Sequence, residues 1–186
     1  MKNSQRIFLT LFLFLALVIV FRNWFYNNLI AYKSIGTRKN YSATDKKLIE
    51  YIHAKLDVKR EPDVKQIINL SLSITSSTLN FTAKNNDKDP NKLINSKTAH
   101  CEGYAFFFAS TCNYMLEKYK LSRSWTAQPH IGQLYFLGHN IHKNFESAFF
   151  KTHDFVTITN KKTGTIYAVD PTVHDYLFID FIRHIK

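Results

Sequence analysis

Three residues with a chemical relationship to one another stand in order along the chain. Cys101 lies in Lys97-Thr98-Ala99-His100-Cys101-Glu102-Gly103-Tyr104-Ala105, His153 heads His153-Asp154-Phe155-Val156-Thr157-Ile158, and Asp170 closes Thr165-Ile166-Tyr167-Ala168-Val169-Asp170. Thr98 is placed to cap a helix whose first turn carries Cys101, where unpaired N–H groups and the positive end of the dipole favour a thiolate. A thiol, a base and a carboxylate that orients the base suffice for covalent acyl transfer. A lone cysteine near a helix start is more simply a core residue. The strand-borne histidine and aspartate are what raise Cys101 above that reading.

These side chains need elements to hold them. From Cys101 the helix is expected to run through Lys120, with Tyr104, Phe106, Phe107, Phe108, Cys112 and Met115 making it apolar nearly all round, as in a central buried helix. Cys112 is about 16 Å from Cys101 along such a helix, too far for a disulfide, and is read as a core residue. Ser124 to Gln128 and Ile131 to Leu137 read as two strands, followed by a loop from Gly138 to Asn144. A hairpin spans His153–Thr159, a turn at 160–164, and Thr165–Val169. Pairing symmetric about Lys161 and Lys162 sets His153 opposite Asp170 with both side chains on one face.

Helices precede this core. Ser42-Ala43-Thr44-Asp45 reads as a capping box for a helix bearing Leu48, Ile49, Ile52 and Leu56, and Pro62 opens a second helix running to Leu79. The stretch from Lys84 to Asn91 has turn chemistry and reads as a surface loop.

Cys-x-Gly-Tyr-Ala at a helix start, His-Asp-Phe-Val on a strand and Tyr-x-Val-Asp-Pro-Thr on the next together resemble the transglutaminase-like superfamily of papain-like cysteine enzymes, over roughly Leu79 to Phe178. The resemblance implies an α+β fold with a nucleophile-bearing helix packed on an antiparallel sheet, here with additional N-terminal helices. It implies Cys101 as nucleophile, His153 as general base and Asp170 as the orienting carboxylate, acting on amide bonds of a protein or peptide substrate through a thioester, without a cofactor. Asp154 is a departure from the family pattern and puts a charge beside the base. For the oxyanion, the Cys101 N–H is one donor, with Asn95, His100 and Gln133 as candidates for the second. A catalytically inactive, membrane-tethered peptide-binding module on the same fold is the alternative. A cell-wall endopeptidase of the papain-like class is disfavoured, because His100-Cys101-Glu102 replaces its usual Asp-Cys-Ser or Asp-Cys-Thr.

The chain begins differently. Ile7 to Phe21 is an apolar run interrupted only by Thr10, and Arg22-Asn23-Trp24-Phe25-Tyr26-Asn27 offers no small-x-small cleavage site but resembles an interfacial aromatic belt. Residues 1–36 are therefore read as an N-terminal membrane anchor or signal segment and residues 37–186 as the transglutaminase-like domain. Lys2 and Arg6 before the run are nearly balanced by Arg22, Lys33, Arg38 and Lys39 after it, but the short leading tail suits a signal anchor with an exported domain. A chain starting near Ser42 is expected to be soluble and folded.

Composition closes off other classes. With 45% hydrophobic and 15% aromatic residues in 186, one domain with a substantial core is expected, and two cysteines cannot make a disulfide framework. The formal charge of +11 is spread without a basic run, which argues against nucleic acid and suits an anionic lipid or cell-wall surface. His139 and His142 have no cysteine or carboxylate at ligand spacing and read as surface or rim histidines, not as a metal site.

Overall fold

The computed structural model describes residues 2–56, 61–84 and 87–186. Two helices lead in, α1 (Lys2–Val20) and α2 (Arg22–Leu29), with an axis bend of 72° between them. Ile7, Phe8, Phe12, Phe14, Leu15 and Val20 of α1 are all more than half exposed. No single helix among the described residues is long and apolar enough to cross a membrane, whereas this bent pair together reaches that length and apolarity.

Ile30–Thr37 then forms β1. It pairs antiparallel with β4 (Trp125–Phe136), from Ile30 opposite Phe136 to Thr37 opposite His130. The boundary expected between residues 36 and 37 thus falls inside a strand. Its signal is weak in sequence because Ala31 and Tyr32 are buried in succession, and alternation is interrupted where the register shifts between Ser34 and Gly36.

Next come α3 (Lys46–Lys55), α4 (Val64–Thr78), β2 (Asn80–Phe81), α5 (Pro90–Ser96), β3 (Thr98–Ala99) and α6 (Cys101–Lys118). The caps differ from expectation by small steps with clear causes. Asp45, not Ser42, caps α3, accepting from the Leu48 N–H at 3.1 Å. Asp63 caps α4 in a reciprocal box with Gln66, both bonds 2.9 Å, so Pro62 precedes the helix. The expected loop from Lys84 ends early, because Asp89 caps α5 with Pro90 in its first turn; positions 85 and 86 lie outside the described residues.

Past α6 run β4, β5 (His139–Asn140), β6 (His153–Asn160), β7 (Ile166–Val169), α7 (Pro171–Leu177) and β8 (His184–Ile185), with 3₁₀ turns at Ile141–Asn144 and Ala148–Phe150. The two strands expected around Pro129 are one, since the Pro129 carbonyl still accepts from the Arg38 N–H at 2.9 Å although proline lacks a donor. The sheet order is β7-β6-β4-β1-β8, with β5 also on β4. In this sheet all pairs are antiparallel except β1 with β8, and β2 pairs in parallel with β3 in a separate two-stranded sheet. The fold is α+β.

The β6–β7 register differs from the symmetric one. Val156 faces Val169 and Thr159 faces Ile166, so continuing the ladder sets Asp170 level with Phe155, two residues from His153. A shift of two preserves the face, whereas a shift of one would have turned His153 away. Val156, Ile158 and Val169 join α4 and α6 in the larger core, while Phe155 and Ala168 pack with Tyr32, Ile179 and Ile182 in a second one. Helix α6 is the axis of the larger core: Phe107 and Phe108 are fully buried in it, and each contributes about 1.5–3 kcal/mol by burial.

Candidate functional site

Cys101 is the first residue of α6, but Thr98 is not the cap. Thr98 and Ala99 pair in parallel with Asn80 and Phe81, which keeps the backbone extended up to His100. His100 becomes the cap, its Nδ1 accepting from the Glu102 N–H at 3.3 Å. Gly103 lets this arrangement close, since a Cβ there would lie 2.8 Å from the Cβ of Ala99. The helix thereby delivers the Cys101 sulfur to the head of β6.

His153 meets it there. Its Nε2 lies 2.6 Å from Asp170 Oδ2, which leaves Nδ1 free for Cys101, the residue beside it on the wall of one cavity. Burial pushes the Cys101 thiol up. Hydrogen bonds from His100 and His153, the imidazolium charge of His153 and the Asp154 N–H outweigh burial and bring the thiol down to about 6. Burial likewise opposes charge on His153, yet the Asp170 carboxylate and then Cys101 hold its pKa well above the ordinary value.

Asp170 is fully buried and serves two purposes. Its Oδ1 accepts from the N–H groups of Thr172 and Val173 at 3.0 and 3.1 Å, capping α7, and Pro171 supplies the fixed φ of the first turn. Its Oδ2 accepts from His153 and from the Tyr32 hydroxyl at 2.7 Å. Burial raises its pKa, but His153 and these donors more than reverse that and leave it below the usual carboxylate value. A bond of 2.7 Å from the Tyr104 hydroxyl to Asp175 ties α7 back to α6.

The carboxylate next to His153 in sequence is paired elsewhere. Asp154 takes a two-pronged contact from Arg38, Nε to Oδ2 at 2.9 Å and Nη2 to Oδ1 at 3.2 Å. Arg38 also reaches Glu102 at 3.2 Å, and Lys88 meets Glu102 at 2.5 Å. This chain of ion pairs binds the segment after β1 to the first turn of α6. The acid in that first turn also suits the helix dipole.

Cys101 and His153 open on a cavity of about 270 Å³ walled by Phe81, Leu134, Ile141, Phe145, Phe149 and Phe150. Neither Asn95 nor Gln133 lines it: Asn95 is exposed and accepts from Lys47 at 2.7 Å, and Gln133 accepts from Asn140 at 2.8 Å. His100 does not line it either; its Nδ1 accepts from the Glu102 N–H. His139 is exposed as expected, but His142 is buried, a correction enforced by its hydrogen bond to the Phe150 carbonyl. Among the described residues no group of three or more His, Cys, Asp or Glu side chains is placed to hold a metal ion.

Tyr32, Arg38, Gly132 and Thr172 enter this site without a signal in the sequence, whereas His142, read from sequence as a surface or rim histidine, lines its cavity. Gly132 stands opposite His153, and a Cβ there would fall 2.6 Å from the Phe155 ring and 2.7 Å from the His153 carbonyl. Comparison with known families, with curated proteins and with solved structures finds no match.

Proposed function

We propose that the chain is a transglutaminase-like cysteine enzyme on a papain-like core, cleaving or exchanging amide bonds of a protein or peptide. The observation that carries this reading is the contact of 2.6 Å between His153 and the buried Asp170, with Cys101 beside His153 on the wall of one cavity. In the proposed reaction the Cys101 sulfur bonds to the carbonyl carbon and the oxygen takes the negative charge beside the Cys101 N–H. As the tetrahedral species collapses, the C–N bond breaks and His153 gives its proton to the departing amine. Water or an incoming amine, deprotonated by the now neutral His153, attacks the thioester and releases the thiolate. Asp170 keeps the ring oriented and supports its charge throughout.

The same reading places the domain outside the cell, tethered to a membrane by α1 and α2. Its support is the exposure of the apolar side chains of α1 and of Trp24 in α2, surfaces that water would otherwise face.

Iodoacetamide labelling of the full-length protein in detergent tests the chemistry. Cys101 should label on the order of a hundredfold or more faster than Cys112 at neutral pH, because burial drives the Cys112 thiol up to about 12. The Cys101 rate should rise through about pH 6, where its thiolate forms. His153→Ala should move that rise to higher pH. An unchanged rate and pH profile in His153→Ala would sink the enzyme reading and leave a peptide-binding module.

A further inference from the structure

Asp170 stands at the end of a chain of hydroxyls that begins on a lead-in helix. Each oxygen of a carboxylate can accept two hydrogen bonds, and here both oxygens are fully engaged: Oδ1 takes the N–H groups of Thr172 and Val173, while Oδ2 takes His153 Nε2 at 2.6 Å and the Tyr32 hydroxyl at 2.7 Å. The Tyr32 oxygen lies 2.5 Å from that of Tyr26 on α2. An ionised carboxylate only accepts, so Tyr32 donates its single proton to Asp170 and the proton between the two tyrosines belongs to Tyr26. Burial, and then the charge of Asp170, push both phenols above their ordinary pKa, so each keeps the proton this order of donation needs. Tyr32 is fully buried and its ring meets Phe155 edge to face with centroids 5.5 Å apart, which fixes where its hydroxyl points.

We infer that Tyr26 and Tyr32 are positioning residues that act on His153 through Asp170, holding the carboxylate in place and drawing off part of its negative charge. The inference deepens the proposed function and rests on it for the meaning of the triad. In that reaction His153 gives a proton to the departing amine, and an imidazolium backed by an unshared carboxylate would give it less readily. Donors in series polarise one another, so Tyr26 strengthens the bond that Tyr32 makes. The titratable groups facing Asp170 and His153 are Tyr32 on β1, Tyr26 on α2 and Cys101 on α6. Asp154 is held by Arg38, and His174 on α7 lies 3.0 Å from Asp180. Because Tyr26 belongs to α2, the segment that leads out of the apolar α1 contributes to the site.

Phenylalanine at either position keeps the ring and removes only the link. In the full-length protein in detergent, Tyr32→Phe should move the rise in iodoacetamide labelling of Cys101 to lower pH by about half a unit, because the imidazolium that pairs with the thiolate is then better stabilised. A tyrosine that only filled space would leave the rise where it is, and one whose loss displaced His153 would move it upward, as expected of His153→Ala. Tyr26→Phe should give a smaller shift in the same direction, and none when added to Tyr32→Phe, since the chain is already cut. The His153 Nε2–H resonance, identified in NMR spectra by its loss in His153→Gln, gives a second reading that does not involve the thiol. It should move downfield in Tyr32→Phe and by less in Tyr26→Phe, as Oδ2 with a weaker competing donor accepts more strongly from the ring. An unmoved resonance in Tyr32→Phe, an upward shift of the labelling rise, or a Tyr26→Phe effect that persists in full on top of Tyr32→Phe would each overturn the inference. If Tyr32→Phe shows no cooperative melting, the resonance in Tyr26→Phe decides. If Cys101 labels no faster than Cys112, the catalytic reading falls and the resonance alone judges the hydroxyl chain. A labelling rise near pH 6 with a resonance that ignores both tyrosines keeps the enzyme reading and removes this one.

Discussion

At Asp170 one carboxylate holds two structures at once, because Oδ1 caps α7 while Oδ2 receives His153 and Tyr32. Substitution by asparagine separates these duties. An asparagine oxygen can still accept from Thr172 and Val173, so the cap persists, but the amide brings no charge to the imidazole. The full-length Asp170→Asn protein should keep its fold while turnover falls by roughly 10³–10⁴ and Cys101 labelling at neutral pH slows by up to about a hundredfold. Its stability should respond to pH in a defined direction. The wild-type carboxylate has a depressed pKa when folded, so its contribution is fully present above the unfolded value of about 3.9 and is lost as pH falls through the folded one. The difference in melting temperature between wild type and Asp170→Asn should therefore shrink in acid. A gap that stays constant down to about pH 2 would mean that Asp170 is not held ionised by these partners.

The elements around the site show why some of it was legible in the sequence. Short alternating runs bounded by turn residues identify β6 and β7, and the all-round apolar character of Cys101 to Lys118 identifies α6. Strand β1 escaped because Ala31 and Tyr32 are buried in succession near its start, which breaks the alternation; α5 escaped because only Pro90, Leu93 and Ile94 are buried in a polar stretch. Tyr32 and Arg38 were hidden with β1, since both act across more than a hundred residues of sequence. The burial of His142 depends on a carbonyl brought to it by the second 3₁₀ turn, which no local pattern announces. Gly132 belongs to the same class, being required by what lies opposite it on β6. Gly132→Ala would force its new methyl into Phe155 and the His153 backbone, which should cost about 1–3 kcal/mol. It should also slow Cys101 labelling by moving His153. Melting temperature and labelling rate measured together check this, and a protein unchanged in both would show that β4 and β6 can part there freely.

For the molecule as a whole, the question is where the lead-in helices end and the folded body begins. Helix α2 is fastened to that body: Asn27 donates to the Phe181 carbonyl at 3.0 Å, and the Tyr26 hydroxyl meets that of Tyr32 at 2.5 Å. Strand β1 lies between β4 and β8, and supplies the hydroxyl on Asp170. A chain beginning at Ser42, expected from sequence to fold, therefore lacks an interior strand, Tyr32 and Arg38, and should show no cooperative melting. A chain beginning at Phe21 loses only α1, whose apolar side chains face outward, and should melt like the full-length protein and label equally at Cys101. The two lengths also isolate the proposed membrane tether. A formal charge of +11 would hold even a soluble domain on anionic lipid at low salt, so sedimentation must be done at about 1 M salt, where the Debye length is about 3 Å. Under those conditions the full-length chain should stay with the membranes and the chain from Phe21 should leave them. Release of both would remove the tether from the proposal, and retention of both would move it from α1 to the surface of the folded body.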